Sequence, residues 1–182
     1  TNYVHMENVM TGENPTYGCQ TFSYDATRIR ILEGVYFNGG MYTIKLSGTH
    51  GLVRDSYSYH SRTGVSDTSD YSIQSTSVQY SIFKDNEIRV VESNALGHGL
   101  VLKSSINISE NLGWHTMYNL IVGNRTYFYS SSDGHEDLAF RRIYTHHNVA
   151  KRNYSLYAAT GVRNGNGSYD NVHENNFIEE AD

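Results

Sequence analysis

Asp67 and Asp70 stand three residues apart in the segment Ser66–Tyr71, and Asp85 follows downstream. Two carboxyls projecting from one loop suit cleavage of a glycosidic bond, where one acts as acid and the other as base or nucleophile. Lys103 closes an apolar run, with Arg141-Arg142 further along. A lysine of lowered pKa, or an arginine beside a cation, can serve as a general base. The same lysine also reads as a solvated strand end. Asp133, Glu136 and Asp137 cluster in one polar stretch and offer the several oxygens that a hard cation such as calcium requires. Composition alone would make that stretch an ordinary loop. His98 lies between Gly97 and Gly99. The adjacent pair His146-His147 should point to opposite faces of a strand and so rarely share a metal. His135, Glu136 and one of that pair would make a zinc or iron set only if two loops met. Tyr57 with Tyr59, and Tyr127 with Tyr129, are i, i+2 pairs on one strand face. Outward, such rings stack on sugars; inward, they fill a core or line a trimer contact.

These groups need elements to position them, and the chain signals its elements by repetition. His50-Gly51-Leu52-Val53 returns as His98-Gly99-Leu100-Val101 after 48 residues, and more faintly as His146-His147-Asn148-Val149 after another 48. A second pattern, a β-branched or aromatic run closing on Asn and a further apolar residue, recurs at half that period. It is seen at Ile82–Ile88, Ile108–Leu112 and Asn175–Ile178. A fixed period of about two dozen residues is the signature of stacked repeats. On this reading His50 and His98 are equivalent corner residues, with Gly51 and Gly99 permitting the bend.

No window of a dozen residues carries a helical apolar stripe. Short strand-like runs are frequent, among them Arg28–Leu32, Tyr42–Leu46, Glu87–Val91, Gly99–Lys103, Thr126–Tyr129 and Tyr154–Ala158, separated by breaks rich in Gly, Asn, Ser and Asp. Three short strands and three turns make one repeat. Asn tolerates left-handed backbone and bonds neighbouring backbone groups. Stacked at equivalent positions about 4.8 Å apart, Asn side chains form a ladder. Asn86, Asn111, Asn124, Asn148 and Asn176 are the expected rungs.

The 182 residues suffice for one domain with a core. The net charge of −5 is spread along the chain, which argues against nucleic acid as partner. No apolar stretch approaches the ~20 residues a membrane span requires. The single Cys19 excludes an internal disulfide. Repeat-like sequence at both ends suggests a fragment of a longer chain, since exposed stack ends normally carry a distinctive cap.

Ile82–Ile88, Gly97–Ser104 and Ile106–Leu112 resemble the coils of right-handed parallel β-helix proteins, the pectate-lyase-like superfold. That group includes polysaccharide lyases, polygalacturonase-type hydrolases and phage tailspikes. The resemblance extends from about Thr27 to Ile178 and implies an architecture more than one enzyme. It implies an all-β chain, residues 1–182 as a single-stranded right-handed parallel β-helix (a solenoid) of about six or seven coils. It implies further that Gly97-His98-Gly99 would stand beside catalytic aspartates in a hydrolase. In a lyase, Lys103 would abstract the C5 proton of a uronate while Arg142 or a metal neutralises its carboxylate. The expected partner is a polysaccharide, met at an extracellular or virion surface, with a homotrimer as the expected assembly. Calcium, on Asp133, Glu136 and Asp137, is the one cofactor suggested. The alternative is a non-enzymatic β-helix module of an adhesin, fibre or virion.

Overall fold

The computed structural model describes residues 3–11, 28–38, 42–62, 70–92, 97–104, 115–129, 137–158, 163–165 and 167–180. Asn8, Glu33, Asp55, Asp85, Gly123, Arg152 and Asn175 share one backbone state, with φ between 50° and 69°. Each follows the last residue of a short strand, and each is followed by one further residue before the next strand begins. Left-handed geometry is uncommon for residues other than glycine. Here the amide N–H of each of the first six corner residues is directed at a carbonyl of the neighbouring layer, as in Asp55 to Lys84 O (3.1 Å) and Asp85 to Val122 O (3.0 Å). A second set of corners, at His50, Tyr80, Tyr118, His147 and Asp170, has φ between 50° and 58°.

These corners divide the chain into strands that visit three sheets, A, B and C, in turn. The first circuit holds β1 (Tyr3–Glu7) and β2 (Met10–Thr11). The second holds β3 (Arg28–Leu32), β4 (Val35–Asn38) and β5 (Tyr42–Thr49). The third holds β6 (Leu52–Arg54), β7 (Tyr57–Arg62) and β8 (Asp70–Gln79). The fourth holds β9 (Ile82–Lys84), β10 (Glu87–Glu92), β11 (Gly97–Lys103) and β12 (Thr116–Met117). The fifth holds β13 (Leu120–Val122), β14 (Arg125–Phe128), β15 (Ala139–Arg141) and β16 (Thr145–His146). The sixth holds β17 (Val149–Lys151), β18 (Tyr154–Ala158) and β19 (Arg163–Gly165), and the seventh β20 (Val172–Glu174) and β21 (Phe177–Glu180).

Sheet A runs β1-β3-β6-β9-β13-β17-β20 and sheet B runs β2-β4-β7-β10-β14-β18-β21. Sheet C runs β16-β12-β8-β11-β15-β19, with β5 also on β8. Every strand pairing is parallel. The chain is thus all-β among the described residues, with parallel sheets, as expected.

The core follows from the register. In sheet A the column Ile31, Val53, Phe83, Ile121 and Ala150 points inward, flanked on each strand by more exposed residues. Ile88 and Phe128 from sheet B, and Ile44, Ile73, Leu100, Leu102 and Phe140 from sheet C, pack against it in one cluster. Burying apolar area stabilises this interior by about 25 cal/mol per Å².

Two expectations are corrected. The repeat is not uniform: along the column from Met6 to His173 the steps are 25, 22, 30, 38, 29 and 23 residues. His50 and His98 are also not equivalent. His50 occupies the C–A corner with Tyr80, Tyr118 and His147, whereas His98 lies within β11 opposite Tyr71 of β8. Their 48-residue spacing joins two different sheets.

The expected rungs Asn86, Asn124, Asn148 and Asn176 are present, but they divide between two ladders that also take in Asn119, Asn153 and Asn171. Asn86, Asn124, Asn153 and Asn176 line the A–B corner, while Asn119, Asn148 and Asn171 line the C–A corner. From the second asparagine of each ladder onward, the side-chain oxygen accepts both the backbone N–H and the amide NH₂ of the rung before it. For Asn124 Oδ1 the distances from Asn86 are 3.1 and 2.8 Å. Ser56 and Ser81 extend the two columns by one layer, their backbone N–H groups donating to Asn86 Oδ1 and Asn119 Oδ1. Asn111 lies outside the described residues.

Candidate functional site

Along β11, Leu100 and Leu102 enter the core, so Val101 and Lys103 belong to the opposite, outer face. Val101 instead packs with Ala139 of β15 in a separate small cluster. The same register sets Lys103 directly opposite Arg141. Arg142 then leaves the strand at φ 78° and turns its guanidinium back, Nη1 donating to the Ser104 carbonyl at 2.8 Å. The neighbouring carbonyl, of Lys103 itself, accepts from Thr116 Oγ1 at 2.7 Å. The backbone that presents Lys103 is therefore bonded by Thr116 of β12 and by Arg142, just beyond β15.

The result is a patch of four basic side chains, Lys45, Lys103, Arg141 and Arg142, on sheet C and at its margin. Burial is the main influence on Lys103, and the positive charges of Arg142, Arg141 and Lys45 add to it. Together they push its ammonium down to about 7. Burial also lowers Lys45. A near-neutral lysine among fixed cations can give up and retake a proton at physiological pH. The surrounding guanidinium groups suit carboxylates, which they bind through two parallel hydrogen bonds.

Among the residues singled out from sequence, Lys103 and Arg142 come together. Asp85 does not join them. It sits at the A–B corner with its carboxylate 3.3 Å from Lys84 Nζ. Asp70 opens β8, its backbone in register with Gly97. Asp67, Asp133 and Glu136 lie outside the described residues. His98 was expected at a coil corner or, by the hydrolase resemblance, beside catalytic acids. It is 1% exposed and shares the inward face of β11 with Leu100 and Leu102. Asp137 was expected to be part of a cation-binding loop, but it is 0% exposed. Its Oδ1 accepts the Leu100 N–H at 2.9 Å, and the hydroxyls of Thr126 and Ser155 face it. Burial raises its pKa, with the Leu100 N–H and the neighbouring hydroxyl groups opposing. The left-handed residue Leu138 (φ 48°) breaks the strand alternation that would have turned Asp137 outward. Among the described residues no group of three or more His, Cys, Asp or Glu is arranged to hold a metal ion.

Sequence reasoning missed a chain of imidazoles beside this patch. His115 Nδ1 is 3.0 Å from His146 Nε2, and His146 Nδ1 is 2.7 Å from His147 Nδ1. His146 and His147 meet because the strand ends between them, so the opposite-face rule does not reach His147 (φ 54°). Burial lowers both His115 and His146, and for His146 the neighbouring imidazoles lower it further. No local signal at His115 foretold its place. The tyrosine pairs, by contrast, were legible. Tyr57, Tyr59 and Tyr127 alternate with the inward residues Ser58 and Thr126 on the outer face of sheet B. Arg89 lies 5.7 Å from the ring centres of Tyr57 and Tyr127 and 6.0 Å from that of Tyr129.

No helix among the described residues is long and apolar enough to cross a membrane. No protein-family model, curated protein or solved structure matches this chain.

Proposed function

We propose that the three sheets are the faces of one single-stranded, right-handed parallel β-helix, and that the chain binds and depolymerises an acidic polysaccharide at the basic patch around Lys103 on sheet C. The seven strands in each of sheets A and B support the upper of the two coil counts expected from sequence. The observation that carries the function is the convergence of Lys103 with Arg141 and Arg142. Lowering of Lys103 toward neutrality supports it further.

The reaction is β-elimination at a uronate. An arginine holds the carboxylate and thereby acidifies the adjacent C5 hydrogen. Neutral Lys103 Nζ takes that proton. The C5–H electrons become a C4–C5 double bond as the bond to the glycosidic oxygen breaks, and that oxygen acquires a proton from water. Of the carboxylates considered for hydrolysis, Asp85 belongs to another corner and Asp67 lies outside the described residues. The spacer reading gains from the enclosure of His98 and Asp137.

The test is a panel of polyuronates followed by unsaturated-uronate absorbance. Wild type should generate the chromophore, and Lys103→Met should lower the rate at least about a hundredfold, the usual weight of a general base. Reducing ends without absorbance would assign hydrolysis instead. Neither product, together with no binding, would leave a non-enzymatic module.

A further inference from the structure

Gly123 is the exception in the A–B corner column, where the other six positions carry a side chain. A Cβ at Gly123 would collide with Oδ1 of Asp85, whose carboxylate leans over the missing side chain. The gap opens onto an outward trough of about 680 Å³ on this corner and the adjoining edge of sheet B. Its walls include Arg125, Tyr127, Arg152 and Tyr154. None of these residues belongs to the cationic patch on sheet C.

The trough has a defined charge pattern. Asp85 is countered by Lys84 at 3.3 Å, and the nearby Arg89 by Glu87 at 2.8 Å. Arg125 and Arg152 are exposed, and among the described residues neither forms an ion pair or a side-chain hydrogen bond. They stand on adjacent layers, one just before and one just after the Asn124–Asn153 rung. Beside them the ring centres of Tyr127 and Tyr154 are 6.2 Å apart, and Tyr154 stacks on Phe177 at 5.0 Å and 4°. Two uncompensated guanidinium groups select a carboxylate. Aromatic rings with phenol groups beside them suit the apolar face and hydroxyls of a sugar ring.

We infer that this trough is a binding site for a uronic-acid unit, its carboxylate held between Arg125 and Arg152 and its ring lying against Tyr127 and Tyr154. The site needs no cleavage at Lys103 and would hold an acidic chain at a second place on the molecule.

Trimers of galacturonate, mannuronate and glucuronate, with maltotriose as the neutral control, test this by NMR titration of the ¹⁵N-labelled chain. At least one acidic trimer should shift the amides of Gly123, Arg125 and Arg152, and it should do so equally in Lys103→Met. The exposed double variant Arg125→Gln/Arg152→Gln should weaken that binding at least tenfold. Shifts that survive the double substitution, equal shifts with maltotriose, or no shift at these amides with any trimer would overturn the inference. Loss of elimination without loss of the Gly123 shift bears on Lys103 alone, and the converse bears on the trough alone. The two readings therefore fail separately.

Discussion

Lys103 holds its amine where the ammonium is disfavoured, and this has a consequence for folding that does not depend on any substrate. Unfolded, the group titrates at its ordinary 10.5; folded, it titrates at about 7. Above the higher value the amine is neutral in both states and costs nothing. Between the two values the unfolded chain binds a proton that the folded chain does not, so stability falls as pH falls, and the penalty is complete below about 7. Lys103→Met removes the charge and keeps the stem. It should stabilise the fold near pH 6 and lose that advantage as pH approaches 10.5. Urea unfolding of both proteins across this range reads the difference, and a difference independent of pH would contradict the assignment. Lys103 reads from sequence as closing a strand, and it closes β11. Arg142 was less legible, because it follows β15 at φ 78°, where strand alternation no longer gives a direction. His98 and Asp137 were misplaced because polarity is a poor guide to direction in this chain. Ser58, Thr126 and Ser155 stand in one inward column with Ile88, all buried. A polar residue in such a column looks from sequence like a candidate for chemistry.

At the level of elements, the asparagine ladders hold the tight corners. Asn124 Oδ1 accepts two bonds from Asn86, and its Nδ2 donates to Asn153 Oδ1 and to the carbonyls of Phe83 and Val122. Asn124→Ala would leave several of these buried groups unpaired, at a cost of about 3 kcal/mol. Asn176 is a partly exposed rung, and water can replace its lost partners, so Asn176→Ala should cost about 1 kcal/mol. Denaturant midpoints of the two variants check the ranking; equal losses would mean that ladder position does not matter. The rung residue type was readable because only a few side chains both tolerate a tight corner and bond its backbone. The register was not readable, since Asn124 and Asn148 are 24 residues apart yet serve different corners. Strand length explains the other misses. β6, β9, β13, β17 and β20 have three residues each with a single inward one, too few to show alternation. β8, the longest strand described, escaped because its segment Tyr71–Gln79 is dominated by Ser, Thr and Gln, of which Ser72, Gln74 and Ser75 are buried.

For the whole molecule, the decisive property is that each strand in sheets A and B pairs only with the strands of the layers directly before and after it. Cohesion then passes from layer to layer, and a layer with one neighbour is held less firmly than a layer with two. Burial follows that order. Phe83 and Ile121 are 0% exposed in the fourth and fifth circuits, whereas β20 reads exposed, intermediate, exposed, and Phe177 is 54% exposed. His173 continues the inward column of sheet A against Phe140, at 4.8 Å. Burial lowers its imidazole to about 4. The unfolded ring binds a proton below its ordinary 6.5, so the seventh circuit loses stability as pH falls from there toward 4. In the 182-residue chain the seventh circuit should therefore open before the buried fourth and fifth, and acid should advance its opening. Native-state hydrogen exchange of the 182-residue chain tests this directly. Amides of Val172–Glu174 should exchange well before those of Ile82–Lys84 and Leu120–Val122, and the gap should widen from pH 6.5 to pH 5 once intrinsic exchange rates are divided out. Uniform protection across the seven circuits would instead mean that the sheets open as one cooperative unit, with cohesion not divided among layers.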